Sequence, residues 1–223
     1  MLTIHHLEKS RSHRILWMLE LLGLDYQIKF YQRAPGVLLA PPELKQIHPL
    51  GKSPVITDGE LVVAESGAII EYLLQRYGEG RFQPAADDLQ GWVDYRYWLH
   101  YAEGSLMPVL LMKLVFTQIA KRPMPFFVKP VAKGISSKVL ETFVQPNLDT
   151  HLGFIEQHLK QHQWFAGDQL TAADVQMSFP MLALAGRSDL SAYPAIQAYN
   201  QRLQADPAWQ KVVTKAGPLQ IPA

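Results

Sequence analysis

The sequence predicts an α/β N-terminal domain followed by an all-α C-terminal domain. Three observations carry that expectation. Strand and helix patterns alternate up to Gly78 in the order β-α-β-α-β-β-α. Residues 81–88, interrupted by Pro84, read as a linker. From Leu89 onward no convincing strand follows, only helical periodicity. The expected division is therefore 1–80, a linker at 81–88, and 89–223.

Taken in order, Leu2-Thr3-Ile4 opens the first strand. From Ser12 to Leu22, the residues Ile15, Leu16, Leu19 and Leu22 share one helical face, and Gly23 is a stop signal. Tyr26 to Tyr31 alternates as a strand does. Pro41-Pro42-Glu43 starts a short helix that ends before Pro49. Val55-Ile56-Thr57 and Leu61-Val62-Val63 flank Asp58-Gly59, the signature of a two-residue type I′ hairpin. Ser66 reads as the cap of a helix that buries Ile69, Ile70, Leu73, Leu74 and Tyr77, with Gly78 after it. Helices are then expected at 89–120, 136–162, 171–184, 192–205 and 207–215. The stretch KRPMPFFVKP (121–130) separates the first two, because its prolines forbid one continuous helix. Thr171-Ala-Ala-Asp174 is a capping-box pattern with Leu170 and Val175 at the staple positions, and Asp174 lies where the helix dipole favours an anion.

Composition narrows the function. The 223 residues are 48% hydrophobic and 18% charged, a balance that buries a sizeable core in a soluble globular protein. A net charge of +1 argues against a broad nucleic-acid surface. There is no cysteine, which excludes disulfides, zinc–thiolate sites and a thiol nucleophile of the protein's own. The start lacks the apolar core of a secretory leader, and the longest apolar run, Leu106 to Met112, stops at Lys113, well short of a membrane span. The expectation is a cytoplasmic protein with neither a membrane nor a nucleic-acid partner.

Gly51-Lys52-Ser53 invites a phosphate-loop reading, and its context refuses it. That loop needs a glycine at 46, where Gln46 stands, and a helix after the serine. Pro54 and a strand follow instead.

Four motifs stand in one order across both halves: Ser10 and Ser12 ahead of Arg14; His48-Pro49-Leu50-Gly51-Lys52-Ser53-Pro54-Val55; Glu65-Ser66 with Ala68-Ile69; and Thr171-x-x-Asp174. Together they resemble the cytosolic glutathione S-transferases of the serine type, from end to end of the chain. The resemblance implies a thioredoxin-like first domain, a cis Pro54 before the third strand, glutathione as co-substrate, no metal, and a homodimer. It also implies that the N–H and C=O of Ser53 are left free to pair with an extended peptide. Lys52 beside it is a compact cation suited to the peptide's glycine carboxylate. Glu65 and Ser66 match the γ-glutamyl clamp: the serine at a helix N-terminus offers donors to a carboxylate, and the glutamate accepts from the ammonium.

Glutathione then supplies the missing thiol. A thiol of ordinary pKa near 8.5 is only about 3% ionised at pH 7, and lowering that pKa by ~2 units takes roughly 2.7 kcal/mol. A hydroxyl donor at the start of the first helix is a plausible source. Ser10, four residues before Arg14 as in several serine-type classes, is the expected donor; Ser12 is the second candidate and also reads as a helix cap. Arg11 between them either helps hold the thiolate or faces solvent. The hydrophobic electrophile is expected between the domains, with Tyr97, Tyr101 and Met107 as candidate pocket residues. Glu103 is a candidate for reaching a partner subunit's ligand.

Other readings compete. His158 and His162 have metal-ligand spacing, but Leu159 replaces the expected glutamate, and His151 lies about 10 Å further along the axis. The same fold also serves as a non-catalytic binding or interaction module. A glutathione-dependent isomerase or dehalogenase would use the same thiolate on another substrate.

Overall fold

A computed structural model describes residues 1–34 and 39–220. The first half is a four-stranded sheet of β1 (Leu2–Leu7), β2 (Gln27–Tyr31), β3 (Val55–Asp58) and β4 (Leu61–Ala64), in the order β2-β1-β3-β4. β1 runs parallel to β2 and antiparallel to β3, and β3–β4 is an antiparallel hairpin. A parallel pair needs a crossover, and α1 (Ser12–Leu22) supplies it. α2 (Ser66–Tyr77) follows β4. α1 is buried nearly all round, Trp17 and Met18 included, because it packs on β1 and α2 and also on the helical half.

Two local expectations need correction. The hairpin pairs Asp58 with Leu61, so its two turn residues are Gly59 and Glu60. Gly59 has φ +61 and Glu60 does not share the positive φ, which is the II′ pattern rather than I′. Ser66 is the first residue of α2, not its cap; Glu65 holds the cap position without a side-chain bond.

The second half is helical throughout among the described residues, apart from one isolated bridge between Trp164 and Gly167. α3 (Leu89–Tyr101) and α4 (Met107–Lys121) are joined by a π turn at Ala102–Leu106. α5 (Lys129–Val139) and α6 (Gln145–Gln161) are joined by another at Leu140–Val144. Both π turns run into a proline, Pro108 or Pro146. Proline lacks the N–H for the fourth carbonyl back and its ring clashes there, so a widened turn lets the helix pass. The two predicted helices are thus each split. α5 also begins seven residues earlier than predicted, since Pro130 occupies its first turn, where no N–H is needed. Counted through its π turn, 89–119 is long and apolar enough to cross a membrane by length and composition, which the break at Lys113 conceals; here it packs against α5, α6 and α7.

α7 (Ala172–Ala185) is the core helix of this half, buried on every side between α1, α3 and α8 (Pro194–Ala205). Its entry is built around Asp174. That fully buried carboxylate accepts the N–H of Thr171 and of Phe165, each at 2.9 Å. α9 (Pro207–Ala216) closes the chain against α1, where Trp17 donates to Asp206 at 2.8 Å.

Candidate active site

The turn from β1 into α1 carries the candidate serines. Ser10 is 6% exposed and Ser12 is fully buried. The Ser10 hydroxyl donates to the carbonyl of Leu7 at 2.7 Å and lies 2.7 Å from the Ser12 hydroxyl. It also accepts the Ser12 N–H at 3.2 Å, so Ser10 satisfies the exposed end of α1, while Ser12 begins the helix rather than capping it. Ser12 Oγ in turn lies 2.8 Å from Nδ1 of His6 and 3.3 Å from the Leu7 carbonyl.

Leu7 ties this turn to the proline loop. Its N–H donates to Ser53 Oγ at 3.3 Å, and that hydroxyl donates to the His5 carbonyl at 2.9 Å. The Ser53–Pro54 peptide is cis. Among the described residues the backbone N–H and C=O of Ser53 have no partner. Lys52 is exposed and without a partner among the described residues. Gly51 before it has φ +58, and a Cβ there would come within 2.6 Å of Lys45, so only glycine fits this turn.

The start of α2 completes the arrangement. Glu65 is exposed at φ +70, ψ 122, a conformation rarely adopted outside glycine. Strained backbone of this kind clusters at ligand-binding positions. Ser66 is buried beside it at the helix N-terminus.

Charge concentrates where the two halves meet. Arg14 is fully buried; its Nη1 donates to the Gln176 carbonyl at 2.8 Å and its Nη2 pairs with Glu103. Arg11 Nε donates to both oxygens of Glu103, at 2.9 and 3.1 Å. Both guanidinium groups lie over the Phe179 ring. Burial lowers the Arg14 pKa to about 10, with Glu103 opposing the shift. Burial pushes Glu103 upward, but Arg14 and Arg11 outweigh it and hold the carboxyl below its ordinary value. Glu103 thus engages arginines of its own chain, and Arg11 faces the domain boundary rather than bare solvent.

Two family models match the chain: glutathione S-transferase, N-terminal domain, over residues 3–75, and glutathione S-transferase, C-terminal domain, over residues 122–214. The chain belongs to the glutathione S-transferase family. Glutathione S-transferase 3 of Schizosaccharomyces pombe is 43% identical over 87% of this chain and 78% of its own length. Glutathione S-transferase 1 of Saccharomyces cerevisiae is 32% identical over 96% and 94%. A solved glutathione S-transferase from Actinobacillus pleuropneumoniae superposes with a TM-score of 0.80 at 34% identity, covering 99% of this chain and 95% of its own. The chain is accordingly a glutathione transferase in both fold and activity, and the interaction-module alternative falls away.

The remaining candidates of this glutathione transferase lie on the helical half. The Tyr101 hydroxyl engages His151 Nδ1 on α6, and Tyr97 stacks on Tyr101 with ring centroids 5.6 Å apart. Both rings therefore lie against α6. Met107 is buried just past the π turn that carries Glu103. His158 Nε2 lies 3.0 Å from the Phe165 carbonyl, and among the described residues no group of three ligand-type side chains gathers for a metal. Sequence reasoning missed His6, Leu7, Gln176 and Phe179. The contribution of Leu7 is backbone only and leaves no mark in residue type; the others become visible only once β1 and α7 flank α1.

Proposed function

We propose that this glutathione transferase activates its co-substrate with Ser10 and binds it through Lys52, Ser53, Pro54, Glu65 and Ser66. One relationship carries the reading. Leu7 accepts from Ser10 through its carbonyl and donates to Ser53 through its N–H. The candidate hydroxyl and the unpaired backbone of Ser53 are thus one residue apart. A tripeptide whose central residue pairs with Ser53 presents its thiol toward Ser10. Lys52 then meets the glycine carboxylate, and Glu65 with Ser66 meets the γ-glutamyl end.

The Ser10 hydroxyl hydrogen turns from the Leu7 carbonyl to the sulfur. It gives up a neutral hydrogen bond, of net value about 1 kcal/mol, for a charge-assisted one of about 1.5–3 kcal/mol. The exchange favours the thiolate, and the N-terminus of α1 adds to it. The thiolate attacks a hydrophobic electrophile or reduces a peroxide. We place the electrophile on the helical side of Ser10, near Arg11, Phe179 and Met107, and assign Tyr97 and Tyr101 to packing of α3 on α6.

Two copies form the working unit in this reading. Leu89 and Val93 are exposed four residues apart on α3, and Leu61 and Val62 are exposed on β4. Sedimentation of the purified protein tests the dimer.

The test of the site is the pKa of bound glutathione thiol, read by thiolate absorbance against pH. Ser10→Ala raises it by about 0.4–1.5 units with the glutathione Kd nearly unchanged. A thiol pKa left at the wild-type value removes Ser10 from this role.

A further inference from the structure

Behind Ser10 stands a chain of three buried side chains: Ser10 Oγ, Ser12 Oγ at 2.7 Å, and His6 Nδ1 at 2.8 Å from Ser12. Each hydroxyl has one hydrogen to give, so the proton on His6 decides which way the chain points. If His6 is protonated on Nε2, Ser12 donates to Nδ1. The Ser12 oxygen then looks to Ser10 for a donor, drawing the Ser10 hydrogen away from the site. If His6 is protonated on Nδ1, it donates to Ser12, and of the two acceptors then open to Ser12, the Leu7 carbonyl at 3.3 Å and Ser10 Oγ at 2.7 Å, the nearer is Ser10. The Ser10 oxygen is then filled by the O–H and the N–H of Ser12, and its own hydrogen is held only by the Leu7 carbonyl.

We propose that His6, protonated on Nδ1, and Ser12 are positioning residues that direct the Ser10 hydroxyl hydrogen at the glutathione sulfur. The inference rests on Ser10 being the thiol donor. Every donor in the chain then points the same way, His6 to Ser12 to Ser10 to sulfur, and successive bonds polarise one another. His6 is 2% exposed, with His13 at 4.9 Å and Phe30 at 5.6 Å between ring centroids. Burial, and then the neighbouring His13, lower its pKa to about 4, so the ring stays neutral and carries a single proton. Its Nε2 has no partner among the described residues, and His6 lines a cavity of about 260 Å³ together with Glu8, Lys9 and His13. That space admits water, which suffices for the bare nitrogen of the Nδ1–H form.

The test uses the full chain with glutathione bound. The thiol pKa is measured in Ser12→Ala, His6→Leu, His6→Asn and the double variant Ser12→Ala/His6→Leu, with thermal melts to confirm folding. Ser12→Ala and His6→Leu are each expected to raise the thiol pKa by about 0.3–1 unit without changing the glutathione Kd. The double variant matches Ser12→Ala alone, because both changes cut one chain. His6→Asn, which retains a donor near the Nδ1 position, restores the wild-type value. Nitrogen-15 spectra place the His6 proton on Nδ1. If Ser12→Ala leaves the thiol pKa unchanged while Ser10→Ala raises it, the chain is packing only and the inference is overturned. A His6 proton found on Nε2 overturns it equally. If Ser10→Ala itself has no effect, the reading of Ser10 fails first. Should His6→Leu not fold, Ser12→Ala, which removes a single oxygen, still decides.

Discussion

Glu103, on the π turn of the helical half, is the counter-charge of Arg14, which lies fully buried in the first helix of the sheet half. Removing one partner of a buried ion pair leaves a charge without compensation and costs about 3–5 kcal/mol. Because Glu103 is itself about a third exposed, Glu103→Ala is expected to lower the unfolding free energy by the lower part of that range, about 3 kcal/mol, read as a reduced denaturant midpoint at unchanged m-value. A loss under about 1 kcal/mol would show that Gln176 and water suffice for Arg14.

Lys52 stands exposed and unpaired among the described residues beside Ser53. Lys52→Ala is expected to weaken glutathione binding by roughly tenfold, equivalent to about 1.4 kcal/mol, and to leave the pKa of bound thiol where it was. Titration calorimetry measures the first and thiolate absorbance the second. An unchanged Kd refutes the carboxylate role.

Glu65 is held at φ +70 without being glycine. Such strain costs of order 1–3 kcal/mol. Glu65→Gly should relieve part of it and raise Tm by a few degrees, while the KM for glutathione rises tenfold or more as the partner of the ammonium is lost. A variant that is less stable than wild type means that the side chain, and not the ligand, justifies the backbone.

Asp174 gives a pH signature. Burial raises its pKa to about 6 against an ordinary 3.8, although two backbone N–H groups pull the other way. Protonation therefore favours the folded state. The contribution is complete below about pH 4 and is lost as pH rises through about 6. The stability of the wild type relative to Asp174→Asn should fall across that window in denaturation curves taken at stepped pH. A flat difference means that Asp174 keeps its ordinary pKa.

The sequence showed the architecture because each part of it was written locally. Gly23, the capping box at Thr171 and the alternation in Tyr26 to Tyr31 all mark elements within a few residues of where they stand. It misled where prolines could mean two things. Pro130 opens a helix that its neighbours made look like loop, and the π turns ahead of Pro108 and Pro146 interrupt helices that were read as continuous. The serines, Lys52 and Glu65 were nominated by the family resemblance of their motifs. The partners of Arg14 were not, since Glu103 and Gln176 lie 89 and 162 residues away. Periodicity says that Tyr101 is buried but not which neighbour takes its hydroxyl, and His151 does.

The burial of Arg14 also bears on modularity. Its guanidinium reaches across the boundary for both of its hydrogen-bond partners. Excising the first 80 residues would leave that cation with no anion and no carbonyl to rest on. The thiol-binding half is consequently not an autonomous cassette, and transplanting it onto a foreign helical half would succeed only where the recipient already offers an acid in the place of Glu103.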